Sequence, residues 1–229
     1  MNNYFHQFDS KTELHTELAN IVASLLEKSI AVDNKAILAV SGGSTPKPFF
    51  KELSKISIPW QNVFVTLVDE RWVEPTHNDS NEKLVRDHLL QNHAKNASFI
   101  PLKNDKLTPF EGQRESGDKI KNLGKAIDVV ILGMGTDGHT ASFFPKDENL
   151  DHALHTKEPC AATIPSDAPY QRMTLSLRTI LKAKSLFLHI EGKEKKAVYD
   201  KAQKAVPVDK MPIRAILKSD KALEVYYGE

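Results

Sequence analysis

The sequence predicts an α/β fold, a mostly parallel sheet with helices on both faces. Three observations carry that reading. Short apolar runs alternate with amphipathic stretches along most of the chain. The runs lack the in–out alternation of half-exposed strands, as expected for strands buried on both faces. Several of them also stop abruptly at a glycine-bearing or charged motif, and ligands of open parallel sheets bind at the carboxyl ends of strands. At 229 residues the chain fits one large unit, and residues 1–229 are read as a single domain.

The elements follow in order. Residues 10–28 carry Leu14, Leu18, Ile21, Val22, Leu25 and Leu26 at helical spacing. Residues 36–40 are a wholly apolar strand, and 46–53 a helix opened by Pro46. Residues 63–68 form a second buried strand, and residues 80–90 a helix with Ser80 or Asn81 as its cap. Residues 109–123 read as a helix that begins with proline, and 127–132 as the third buried strand. Residues 173–177 and 186–190 are further strand candidates, 193–204 a helix and 223–227 a last strand. The stretch 144–171 shows no clean period; loops and one short extra strand are expected there.

Composition narrows the function. Hydrophobic residues make up 40% and charged residues 27%, so a packed core is expected rather than disorder. The formal net charge is +1, which offers no global field for nucleic acid or an anionic membrane; an anionic ligand needs a local constellation. The single cysteine, Cys160, excludes an internal disulfide and is read as a small buried residue rather than a catalytic thiol. Residues 1–10 lack a basic start followed by an apolar run, and no apolar stretch approaches membrane-spanning length, so a cytoplasmic location is expected.

Four strand ends carry the chemistry. Val40 leads into Ser41-Gly42-Gly43-Ser44-Thr45-Pro46, where glycines allow close ligand approach. Backbone N–H groups, a helix N-terminus and two hydroxyls there suit an anion. Without a following Gly-Lys-Ser/Thr it is no Walker loop. Val68 leads into Asp69-Glu70-Arg71, and arginine suits bidentate phosphate contacts. Leu132 leads into residues 133–139, Gly-Met-Gly-Thr-Asp-Gly-His. Ile190 leads into Glu191-Gly192-Lys193, and Arg172 precedes a late strand. The bland alternatives are a helix cap, an ion-pair cluster and exposed basic side chains.

Residues 133–138 match G-x-G-x-x-G, but Pro145 interrupts the following segment and no second strand with an acidic end appears, so no dinucleotide is expected. The loop instead presents Asp137 and His139. Imidazole titrates near neutral pH, so His139 can take and return a proton, and Asp137 is placed to orient it. His152 and His155 near Asp151 and Glu158 are read as a solvated loop. H-E-x-x-H, paired C-x-x-C and G-x-S-x-G are all missing from the sequence.

Taken together, residues 41–47, Asp69-Glu70-Arg71 with His77-Asn78-Asp79-Ser80-Asn81, and residues 132–142 resemble the three signature blocks of 6-phosphogluconolactonases. Residues 171–176 and 192–196 resemble that family's arginine-bearing strand and glycine-lysine helix start. The match runs in order over nearly the whole chain; Phe143-Phe144-Pro145-Lys146 departs from the usual Leu-Phe-Pro-Gly. The resemblance implies a modified Rossmann-like fold, similar to glucosamine-6-phosphate deaminases and ribose-5-phosphate isomerases. It implies no cofactor and no required metal, a sugar-phosphate lactone as partner, and a monomer or homodimer. Carried over by position, His139 is the general base and Asp137 its support. Gly42, Gly43, Ser44, Thr45, Asp69, Arg71, Arg172 and Lys193 hold the phosphate or line the site. Two rivals stand beside this reading. A deaminase of the same fold carries a glutamate shortly after the histidine, where this chain has Ser142-Phe143-Phe144-Pro145. A non-catalytic sugar-phosphate sensor would keep the cradle and lose the chemistry.

Overall fold

The computed structural model describes residues 3–229; Met1 and Asn2, the start of the segment read for a targeting signal, lie outside the described residues. In chain order the elements are β1 (Asn3–Phe8), α1 (Lys11–Asp33), β2 (Ala36–Val40), α2 (Pro46–Lys55), β3 (Val63–Leu67) and β4 (Asp69–Arg71). Then come α3 (Asn81–His88), β5 (Ser98–Ile100), α4 (Pro109–Lys121), β6 (Val129–Leu132), α5 (Leu150–His155) and β7 (Cys160–Thr163). The last are β8 (Arg172–Leu175), α6 (Leu177–Leu181), β9 (Ser185–Glu191), α7 (Gly192–Gln203), α8 (Arg214–Leu217) and β10 (Leu223–Gly228).

Seven strands form one sheet in the order β1-β10-β9-β6-β2-β3-β5, and every pair in it is parallel. Every side chain of β2 and β6 is buried. Alternate residues of a strand point to opposite faces, so both faces of the sheet are covered. From β2 the chain steps outward through β3 to β5, then returns to β6 on the other flank of β2 and steps outward through β9 to β10. The order therefore reverses between β2 and β6, and a crevice opens outside the carboxyl ends of strands at such a reversal.

The local causes are plain. Ser10 caps α1 by accepting from the Glu13 N–H, and Leu14, Leu18, Val22 and Leu26 form its fully buried stripe. Ser80 caps α3 by accepting from the Lys83 N–H. No described helix is long and apolar enough to cross a membrane.

Three expectations are corrected. The strand expected over 63–68 ends at Leu67, and Asp69-Glu70-Arg71 is a strand of its own, β4, which leaves the parallel sheet to pair antiparallel with β8. β8 is not a further parallel strand, since β4-β8-β7 form a separate three-stranded sheet. It also ends at Leu175, because the Ser176 hydroxyl accepts from the Thr179 N–H and starts α6. The stretch 144–171 holds the expected short strand, β7, and in addition the helix α5.

Candidate active site

A cavity of about 470 Å³ lies outside the carboxyl ends of β2, β6 and β9, at the reversal of strand order. Its lining includes residues 41–46, Asp69, Arg71, residues 133–135, His139, Arg172, Glu191 and Lys195. Of the residues singled out in the sequence, Gly42, Gly43, Ser44, Thr45, Asp69, Arg71, His139 and Arg172 all line it. Asp137 reaches it through His139.

The floor joins two strand ends. Ser41 Oγ donates to the Ile131 carbonyl at 3.0 Å and accepts from the Gly133 N–H at 2.9 Å, locking the loop after β2 to the loop after β6. A Cβ at Gly42 would collide with the Asn81 side chain, so only glycine fits. Thr45 sits at the N-cap of α2 yet makes no side-chain cap bond, and Pro46 follows. Pro46 and Pro48 carry no N–H, and the Lys47 N–H donates to the Ser44 carbonyl at 3.4 Å, so the capacity for an anion lies in the loop ahead of α2 and in the Ser44 and Thr45 hydroxyls.

The loop after β6 presents the imidazole. Asp137 Oδ1 lies 2.6 Å from His139 Nδ1 and also accepts the His139 backbone N–H at 3.1 Å. A Cβ at Gly135 would overlap both the His139 ring and the Asp137 carboxylate, so this glycine makes the pair possible. Burial works against the Asp137 charge, but the hydrogen bond and charge of His139 outweigh it and hold the carboxyl below its ordinary value. An ionised Asp137 only accepts, which puts the proton on Nδ1 and leaves the Nε2 lone pair free. Phe144 stacks on the ring with centroids 4.2 Å apart and fixes its plane.

The opposite wall belongs to the small sheet. Arg71 and Arg172 are direct partners across the antiparallel β4–β8 pair, so two guanidiniums share one face. Like charges placed opposite each other are unfavourable unless an anion sits between them. Arg71 Nη1 donates to the Asp79 carbonyl at 2.7 Å. Arg172 is 5% exposed, and its buried Nε has no protein partner. Its guanidinium stands 5.5 Å from the Phe144 ring centroid and donates to the Pro169 carbonyl. Burial lowers its basicity, partly offset by Asp69.

Asp69 is a strut as well as a lining residue. Its Oδ2 accepts from Ser142 Oγ at 2.6 Å, which ties the segment after His139 to β4. Glu70 points the other way and accepts from the Asn81, Glu82 and Arg71 N–H groups and from Ser80 Oγ. Burial pushes its carboxyl up to about 7, although the backbone donors pull it down.

Lys193 does not join the site. Its side chain is 84% exposed, 3.7 Å from Glu229. Lys195 lines the cavity instead. The two stand about 200° apart around the first turns of α7, so only one can face inward. Burial holds the Lys195 ammonium below its ordinary value, while Glu194 and Asp137 pull it back up. Sequence reading named Glu191 in its strand-end motif but gave it no role; His15 and His189 hold its carboxyl well below the usual range against the effect of burial. The signal was visible: His189 is a polar residue inside an apolar strand, and His15 lies on the apolar stripe of α1. His152 and His155 belong to α5, where His155 binds its own helix through Asp151. Cys160 is buried, and burial pushes its thiol up to about 12, far from a reactive thiolate.

The family model described as glucosamine-6-phosphate isomerases/6-phosphogluconolactonase matches residues 9–225. The chain belongs to that family. A 6-phosphogluconolactonase of Rhizobium meliloti (strain 1021) is 41% identical over 100% of both chains. One of Neisseria meningitidis serogroup B is 38% identical, covering 98% of this chain and 99% of its own. The crystal structure of a 6-phosphogluconolactonase from Shewanella baltica OS155 matches with a TM-score of 0.97 at 44% identity, covering 99% of this chain and 98% of that one. A monomeric glucosamine-6-phosphate deaminase matches at TM-score 0.81 but only 19% identity, which shows the shared fold alone.

Proposed function

We propose that this chain hydrolyses 6-phospho-D-glucono-1,5-lactone to 6-phospho-D-gluconate, as one catalytic unit working in the cytoplasm. One observation carries the reading. His139 is held at Nδ1 by Asp137 at 2.6 Å, beside a cavity whose far wall is a facing pair of arginines. That arrangement sets a base with a free Nε2 against an anchor for a phosphate. Full-length likeness to several 6-phosphogluconolactonases supports the same substrate.

The phosphate is bound by the 41–46 loop together with Arg71, Arg172 and Lys195. This places the lactone ring toward His139. Nε2 takes a proton from water as the water oxygen attacks C1. Backbone N–H groups of the loop and the cationic wall stabilise the tetrahedral oxyanion. The C1–ring oxygen bond then breaks, and the imidazolium returns the proton to the departing oxygen. Water is added overall and His139 ends neutral. No step uses a metal. Phe144 stands against His139 where a deaminase carries its glutamate, so the second acid–base group for isomerisation is missing and the deaminase reading is disfavoured.

The test generates the lactone in situ with glucose-6-phosphate dehydrogenase and follows 6-phosphogluconate against a no-enzyme blank, with and without chelator. Hydrolysis above the blank that survives chelation is expected. A rate equal to the blank from folded protein overturns the proposal.

A further inference from the structure

We propose that His15, His189 and Glu191 form a binding site for a transition-metal cation of the zinc class, separate from the His139–Asp137 pair and unused by the lactone chemistry. His15 comes from α1, and the other two from the end of β9. Glu191 Oε1 lies 2.8 Å from His15 Nε2 and 3.1 Å from His189 Nε2, and all three ligand atoms fall within 4.8 Å of one another. A tetrahedral zinc ion with bonds of ~2.0–2.1 Å holds its ligands roughly 3.3 Å apart, so small side-chain shifts complete the geometry.

The donor set has the right chemistry. Two imidazoles and one carboxylate make the three-ligand arrangement that leaves a fourth position open. His189 and Glu191 line the cavity, so that position faces it. Lys11 approaches only the other carboxylate oxygen, at 3.5 Å, and leaves Oε1 free.

A second observation points the same way. His189 is 3% exposed, and neither of its ring nitrogens meets hydrogen-bond geometry with any group. Phe49 stands edge-on to the ring, which adds no acceptor. A buried imidazole with both nitrogens unsatisfied is costly in an apolar interior. Ligation through Nε2 would satisfy one of them. Among the described residues this is the one His, Cys, Asp or Glu group with such spacing.

The test reads metal binding rather than turnover, so it succeeds or fails apart from the lactonase proposal. Chelator-stripped protein is titrated with ZnCl₂ by calorimetry and with cobalt(II) by visible absorption. One equivalent should bind, with a tetrahedral-type cobalt spectrum and a Tm that climbs with zinc concentration. His15→Gln should abolish the site, and His139→Ala should keep it. If His15→Gln fails to fold, Glu191→Gln, which conserves side-chain volume, is expected to lose the same equivalent. No saturable binding to wild type would overturn the proposal, as would binding that survives both substitutions or vanishes in His139→Ala.

Discussion

The two walls of the cavity are built on different principles. The His139 wall is a glycine loop on the buried parallel sheet, and its geometry is set by close approach: Gly135 leaves room for Asp137 to grip the imidazole. The arginine wall is a short antiparallel ladder that holds like charges side by side. On the proposed reading the first wall orients one proton carrier. On the same reading the second accepts electrostatic strain that the substrate phosphate would relieve. Chemistry and anchoring should therefore separate under mutation.

The largest effect is expected from His139→Ala. It should lower kcat by roughly 10²–10⁴-fold, the usual worth of general acid–base help, with little change in KM. Steady-state assays on the in situ lactone measure it; a KM effect alone would assign His139 to binding. Next comes Gly135→Ala, whose Cβ displaces the His–Asp pair while both residues keep their identity. A loss of about 10²-fold in kcat is expected from misplaced geometry. If activity is unchanged, the pair is less constrained than described.

A smaller effect tests anchoring from α7. Lys195→Ala should raise KM about tenfold to a hundredfold, the worth of one charge-assisted hydrogen bond. Lys193→Ala should stay within about twofold, since its side chain is exposed against Glu229. Equal effects would blur the distinction drawn around α7.

The smallest effect on turnover is expected at Glu70, behind the arginine wall. Its carboxyl is raised to about 7 in the folded chain from an ordinary 4.5. A raised carboxyl stabilises the fold most below the unfolded value and loses that contribution as pH climbs through the folded value. Wild-type stability should thus carry a falling component between those two values, at most about 1.4 kcal/mol per pH unit. Glu70→Gln should flatten it. The variant should also cost about 1–3 kcal/mol, because the new amide confronts backbone donors. Thermal unfolding across pH checks both, and a parallel pair of curves would remove the titration at Glu70.

Legibility in the sequence follows the same divide. β2, β6 and β9 were readable because strands buried on both faces are continuous apolar runs, and the motifs at their ends fell where open sheets bind ligands. Gly42 through Thr45 and His139 reach the cavity for that reason. The small sheet was readable only in part: a strand near 173 and a short one within 144–171 were expected, but neither β4 nor the pairing of the three was. β4 is the polar triplet Asp69-Glu70-Arg71, β7 is Cys-Ala-Ala-Thr, and β4 lies far along the chain from its partner β8. Strands that short carry no period. Lys193 was misplaced because the phase of a helix is fixed at its first turn, and the sequence shows only that lysines are near. β1 and β5 escaped notice as edge strands whose patterns are mixed, with β1 half-exposed and β5 three residues long.

The most direct test of the separation between the walls is a calorimetric titration of His139→Ala with 6-phosphogluconate, beside its turnover of the lactone. The expected result is a Kd close to wild type with hydrolysis reduced to near the uncatalysed rate. Binding and turnover lost together, or turnover retained, would contradict the assignment of chemistry to His139 and anchoring to the arginine wall.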